Sequence, residues 1–163
     1  MPEETNDTSM EKARSVALRL LKRRPRSRWE LQSSLQGREY SAPVQTQVLD
    51  ELEKAGLIDD ERFARYWTEH RVLERQTALR AIETDLLQKG LDEALVQKTL
   101  SRVAADVDER RLASEWVERW RALLSGSETD KDRARWKRRL MQRGFSEEDI
   151  NAALSFPRKR EST

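Results

Sequence analysis

The residues in this chain whose type and spacing could do chemistry are basic. Lys22, Arg23, Arg24, Arg26 and Arg28 crowd a single short stretch around Pro25. Lys131, Arg135, Arg138 and Arg139 recur at helical spacing, on the face expected opposite Trp136 and Leu140. Arginine carries a planar fork of N–H donors that matches phosphate and carboxylate oxygens, and a helical stripe of such forks can track a polyanion. Both clusters therefore read as sites for DNA or for an acidic partner. The plainer reading of the same residues is a solvated helix face. Nothing beside them would read base edges, so contact with nucleic acid would be tolerant of sequence.

Catalytic chemistry finds no comparable support. Asp59-Asp60 is the nearest approach to a carboxylate pair, but adjacent acids at a helix start read as N-caps. No convergent set of oxygen ligands completes a metal site there. His70 is the sole histidine. It shares a helical face with Phe63 and Trp67, and is expected in the core or in a hydrogen bond. No Ser or Cys motif offers it a nucleophile, and no glycine loop resembles a phosphate cradle. The expectation is a protein without catalytic residues, metal or cofactor. Trp67, Trp116, Trp120 and Trp136 lie on apolar stripes and are expected in the core. Trp29, beside Arg28, could instead stack on a base.

The elements that must position these residues are helices. Of the 163 residues, 38% are charged and 36% hydrophobic, which suits a thin core shared among helical modules better than one thick core. Charge is segregated along the chain. Lys12 to Arg38 holds nine bases and one acid, Glu30. Glu39 to Asp130 holds thirteen bases and twenty acids, and Lys131 to Arg160 holds ten bases and four acids. Basic ends could grip a polyanion while the acidic middle meets a basic protein surface. There is no cysteine, hence no disulfide and no thiolate metal site. No apolar run approaches the ~20 residues a membrane span needs, and Met1 to Ser9 lacks the apolar stretch of a secretory signal. A cytoplasmic protein is expected.

A helical unit recurs three times. Ile82, Leu86, Leu91 and Leu100 are matched, 54 residues on, by Trp136, Leu140, Phe145 and Leu154, with Lys89-Gly90 and Arg143-Gly144 at the turns. Leu31, Leu35, Tyr40 and Leu49 repeat the pattern, with Arg38-Glu39 replacing the glycine turn. Asp60-Glu61-Arg62-Phe63-Ala64 and Asp108-Glu109-Arg110-Arg111-Leu112-Ala113 open the second and third units alike, apart from one inserted Arg. Caps and breakers divide the chain into nine helices. The first is expected from about Met10 to Arg24, and the seventh from about Asp106. The expected organisation is a disordered segment at 1–9, three-helix repeats at 10–56, 57–105 and 106–156, and a basic polar tail at 157–163. The expected fold class is all-α, an elongated array of three tandem three-helix repeats.

The same residues resemble the RecX family of recombination regulators. The resemblance rests on Arg26-Ser27 with Glu30-Leu31, on Gly56-Leu57-Ile58-Asp59-Asp60 with Phe63-Ala64, on Leu86 with Lys89-Gly90-Leu91, and on Leu140 with Arg143-Gly144-Phe145. It spans roughly Ala13 to Leu154. It implies three tandem three-helix repeats and a modulator, mainly an inhibitor, that binds the RecA nucleoprotein filament on single-stranded DNA. It further implies restraint of that filament's ATPase, strand-exchange and coprotease activities. A monomer without a membrane partner is expected. The alternative is a sequence-tolerant helical nucleic-acid-binding module with no RecA partner; a protein-binding scaffold is a third reading. One departure stands at Gln76-Thr77-Ala78, where relatives tend to carry a glycine.

Overall fold

The structure is a computed structural model that describes residues 2–155. Among the described residues there are nine helices and no strand. They are α1 (Pro2–Arg23), α2 (Arg28–Gln36), α3 (Ala42–Lys54), α4 (Asp60–Leu73), α5 (Leu79–Gln88), α6 (Glu93–Ala104), α7 (Glu109–Ala122), α8 (Asp130–Gln142) and α9 (Glu147–Ser155). The first helix begins well before the expected Met10, within the segment expected to be disordered. Pro2 suits a first helical turn, where no N–H partner is needed, and no glycine or second proline interrupts the run to Arg23. The expected tail at 157–163, with Phe156, lies outside the described residues. No described helix is long and apolar enough to cross a membrane.

The chain forms two compact units. The first takes the residues up to Thr68 together with Asp85–Thr99; the second takes Glu69–Thr84 together with the chain from Leu100 onward. The first unit buries Ala13 and Ala17 of α1, Leu31 and Leu35 of α2, and Val44, Val48, Leu49 and Leu52 of α3 in one cluster with Ile58. The second buries Ala113, Val117 and Trp120 of α7 against Trp136 and Leu140 of α8 and Ile150, Ala153 and Leu154 of α9. Helices α4, α5 and α6 each run through both units.

The acids before α4 and α7 have divided roles. Asp59 Oδ1 accepts from the Arg62 N–H at 2.9 Å and so caps its own helix. Asp60 Oδ1 accepts from the Arg28 N–H at 2.9 Å, at the first residue of α2. The arrangement recurs in the second unit. Asp108, not Asp106, caps α7 by accepting from the Arg111 N–H, and Glu109 Oε1 accepts from the N–H of Leu79, the first residue of α5, at 2.6 Å. Asp59-Asp60 is thus the structural counterpart of Asp108-Glu109, and Phe63-Ala64 of Leu112-Ala113. The inserted Arg of the sequence comparison disappears. Each pair of acids satisfies free N–H groups at two helix starts, where the helix dipole also favours negative charge.

Glu30 completes the joint in the first unit. Ser27 caps α2 in a reciprocal capping box with Glu30, and its hydroxyl donates to the Lys89 carbonyl at 2.8 Å. The Glu30 carboxylate also accepts from both terminal guanidinium nitrogens of Arg24, at 2.9 and 3.1 Å, and from Lys89 Nζ at 2.8 Å. Lys89 and Arg24 in turn lie over the Trp67 ring, at 4.3 and 5.5 Å from its centroid. Burial opposes ionisation of Glu30, but the hydrogen bonds and charges of Arg24 and Lys89 outweigh it and hold the carboxyl below the ordinary glutamate range.

The turns follow the repeat. Gly90 and Gly144 adopt φ of 76° and 86°, and Glu39, at the same place in the first repeat, adopts 63°. A non-glycine side chain is strained in that region. Glu39→Gly is therefore expected to raise stability by about 0.5–1 kcal/mol, read from urea unfolding, with no effect on helicity. Asp59→Ala should cost about 0.5–2 kcal/mol as a lost cap. Because the folded value of Glu30 is depressed, its contribution is present above the ordinary glutamate range and lost as pH falls through the folded value. Glu30→Gln should cost about 2–3 kcal/mol at neutral pH. It should also flatten the acid limb of a plot of urea midpoint against pH; an unchanged limb would remove Glu30 from that role.

Candidate anion-binding site

The two basic clusters singled out in the sequence fare differently once folded. Around Pro25, Arg24 is held by Glu30. The Arg28 guanidinium donates to Asp50 at 2.6 Å and to Glu53 at 2.7 Å. Lys22 and Arg23 are exposed, and Arg26 is half-buried. On α8, Arg135 pairs with Asp132 at 2.8 Å, while Lys131 and Arg138 are exposed. Arg139 is exposed as well, but leans toward the aromatic core. Three residues from Trp136, it lies with its guanidinium 5.6 Å from the centroid of Trp120, and Trp120 stacks on Trp136.

The structure draws a different set together in the second unit. Arg143 lies over Trp116, its guanidinium carbon 3.8 Å from the ring centroid, and Arg119 approaches the same ring at 5.0 Å. The ring is fixed by its indole N–H, which donates to the Gln76 carbonyl at 3.1 Å. Gln76 has φ of 45°, without the glycine the turn favours. It is held there by that bond and by its amide, which donates to Glu115 at 2.7 Å. The Arg143 guanidinium donates to the Arg75 carbonyl, and the Arg143 carbonyl accepts from the Ala78 N–H at 3.1 Å. Burial lowers the Arg143 pKa first, followed by the charges of Arg71, Arg139, Arg75 and Arg119. Four guanidinium groups, those of Arg71 in α4, Arg75 just after it, Arg119 in α7 and Arg139 in α8, thus act on the fifth, that of Arg143 in the turn after α8. Guanidinium groups offer charge and N–H donors rather than acid–base chemistry.

This site repeats the plan of the first unit's joint, with the acid replaced. Trp116 stands where Trp67 stands, Arg143 where Lys89 stands, and Arg75 where Arg24 stands. The Ala78 N–H reaches the Arg143 carbonyl as the Ser27 hydroxyl reaches that of Lys89. At the position of Glu30, however, the second joint has Ala81. Arg75 and Arg143 lack the carboxylate that Arg24 and Lys89 share. An anion from outside the chain would take its place, and phosphate or carboxylate oxygens fit the forked donors. Among the described residues no group of His, Asp and Glu could hold a metal.

Of the sequence candidates, only Arg139 joins this set; Arg71, Arg75, Arg119 and Arg143 were not singled out. The signal was present in the repeat itself. Arg24 is followed six residues later by Glu30, whereas Arg75 is followed six later by Ala81. Trp120 and Trp136 are buried as expected, but Trp67 and Trp116 are only half-buried, with cations covering their open faces. Trp29 is 49% exposed, and its Cβ packs where a Gly90 side chain would sit. His70 is hydrogen-bonded, to Glu74 at 2.9 Å, and half-buried instead of in the core.

Comparison with known proteins accords with this architecture. Family models for the first, second and third three-helix domains of RecX match residues 13–52, 59–100 and 108–154. The regulatory protein RecX of Mycobacterium avium is 36% identical over an alignment covering 98% of this chain and 95% of that one. Its counterpart in Streptomyces coelicolor is 35% identical, over 85% of this chain and 73% of that one. The alignment with the Mycolicibacterium smegmatis protein is closer, at 44% identity, but spans only 48% of this chain and 42% of that protein. The crystal structure of RecX from Lactobacillus salivarius shares the fold at a TM-score of 0.69 and 18% identity, covering 91% of this chain and 96% of that one. Three domain models in order along the chain, and a relative matched over nearly its whole length, show that the chain belongs to the RecX family.

Proposed function

We propose that this chain modulates RecA, mainly as an inhibitor. It would bind the RecA filament on single-stranded DNA and so restrain ATP hydrolysis, strand exchange and coprotease activity. The reading rests on family membership, and the observation that carries it is the second joint. There Arg143 and Arg119 lie against the Trp116 ring, Arg71, Arg75 and Arg139 bear on Arg143 with like charge, and Ala81 stands at the place of Glu30. A DNA phosphate, or an acidic side chain on the filament, fills the position that Glu30 fills in the first unit. Lys131, Arg135 and Arg138 on α8, with Lys22, Arg23 and Arg26 around Pro25, add attraction over a longer range. Arg24 and Arg28 are already engaged by carboxylates and serve the fold. Function on this reading is binding as a cytoplasmic monomer, with no reaction and no cofactor. Repeats that touch successive protomers would oppose the movements that hydrolysis requires.

The test is a titration of RecA ATPase inhibition on single-stranded DNA at several salt concentrations, with thermal melts alongside. Arg143→Ala with Arg119→Ala should weaken inhibition and flatten its salt dependence, by about 0.7 in the log–log slope per lost phosphate contact. The triple change Arg135→Ala, Arg138→Ala, Arg139→Ala should act in the same direction, with Arg139 the largest contributor. Ala81→Glu separates binding from folding. It restores the internal carboxylate, so it should raise stability by about 0.5–1.5 kcal/mol while weakening inhibition. An Ala81→Glu protein that is folded and inhibits with unchanged affinity and salt slope would exclude the second joint as the binding surface. DNA binding with no effect on RecA would favour the module without a RecA partner.

A further inference from the structure

A second surface, in the first unit, joins apolar and cationic groups that neither the fold nor the arginine joint uses. A groove of about 410 Å³ is lined by Leu18 and Leu21 of α1, Pro25, and Leu57 in the turn before α4. Lys22, Arg26 and Arg62 stand at its rim with one acid, Asp59. Leu18 and Leu57 are 40% and 45% exposed, although Ile58 beside Leu57 is buried. The walls are rigid. Pro25 precedes Arg26, and Ser27 after it is fully buried with its hydroxyl bonded to the Lys89 carbonyl. Arg62 is anchored by donating to the carbonyls of Gly56 and Leu57 at 3.0 and 3.4 Å. Asp59 Oδ1 is engaged by the Arg62 N–H, and with three cations against this one acid the groove is net positive.

Arg26 is the informative group. Its Nε lies out of contact with solvent and has no hydrogen-bond partner. A buried donor left unmade costs free energy, and the fold gives this one no acceptor. Burial and the neighbouring Arg24 and Arg23 act against its charge, and only Glu30 and Tyr66 offset them. The floor is aliphatic and offers no aromatic plane on which a base would stack. A phosphodiester strand would meet the cations but gain nothing from the two open leucines. A peptide carrying carboxylates around one bulky apolar side chain satisfies both.

We infer that this groove docks an acidic peptide segment of a partner protein, with an apolar side chain seated between Leu18 and Leu57 and a carboxylate on Arg26. Charge complementarity selects a polyanion, and the exposed leucines select a peptide over nucleic acid. The docking is separate from the arginine joint and adds a protein contact to the proposed phosphate contact.

The experiment is fluorescence polarisation of a dye-labelled synthetic peptide in which Asp and Glu flank one Phe. The comparators are the same peptide with Ser for Phe, and an oligothymidylate of equal charge. The Phe peptide should bind about tenfold tighter than the Ser peptide, as expected for covering one apolar side chain. Leu18→Ser with Leu57→Ser, both exposed positions, should abolish that difference while leaving oligothymidylate binding unchanged. Arg26→Gln should weaken both peptides. Ala81→Glu should leave the peptide isotherm unchanged, so failure of the arginine joint and failure of the groove are told apart. Equal binding of the two peptides, or a difference that survives in a folded double-leucine variant, overturns the inference. So does an oligothymidylate affinity that falls with the leucines, since the groove would then belong to a nucleic-acid surface.

Discussion

The carboxylate of Glu30 is the interaction on which the first unit turns. It is the single acid in a strongly basic stretch, and it takes hydrogen bonds from Arg24, from Lys89 and from the Ser27 N–H. A half-buried anion is tolerable only when paired and fully bonded. Arg24 and Lys89, distant in sequence, must therefore meet at one place, and Trp67 gives both an aromatic face to lie on. The capping box of α2 and the turn before Leu91 are fixed by the same small group of atoms.

The second unit keeps the scaffold of that joint and changes its electrostatics. Glu109 reaches Leu79 as Asp60 reaches Arg28, and the backbone around Ala78 meets Arg143 as Ser27 meets Lys89. With Ala81 at the acid's place, the arginines around Trp116 repel one another. Their convergence is sustained by the indole faces, worth about 0.5–2 kcal/mol per cation, and by the packing of α7 against α9 and α8. A joint that is closed within the chain stabilises the fold. On the proposed function, the same joint left without its carboxylate receives an anion from the partner. On that reading the replacement of Glu30 by Ala81 is the difference that lets a repeated unit hold itself together at one copy and bind a partner at another.

Tryptophan has two roles here. Trp136 and Trp120 fill the core of the second unit. Trp67 and Trp116 sit at equivalent half-buried positions as platforms for cations. An apolar stripe does not distinguish these roles, because both put a ring on the inner face of a helix. What differs is the partner brought over the ring by the tertiary fold, the basic residue before Gly90 or Gly144.

The sequence by itself determined the helices and their punctuation. Ser27 with Glu30 spelled a capping box, the acids at 59–60 and 108–109 marked helix starts, and the recurrence of Leu86 and Leu140 with their glycine turns set the repeat. These are local effects, carried by propensity, caps and period, and they act over a turn or two of chain. Even so, α1 extends to Pro2, because nothing local stops it. The register between the second and third repeats was read with a false insertion, since hydrogen bonds and not letters show which acid caps which helix. The arginine site lay beyond local reading. Arg71, Arg75, Arg119, Arg139 and Arg143 belong to three separate helical segments and become neighbours only when those segments pack. Whether an arginine is spent on a carboxylate, as Arg24 and Arg28 are, or left for a partner depends on which side chain stands opposite in space. Charge acts through distance in three dimensions, and only the tertiary structure sets that distance.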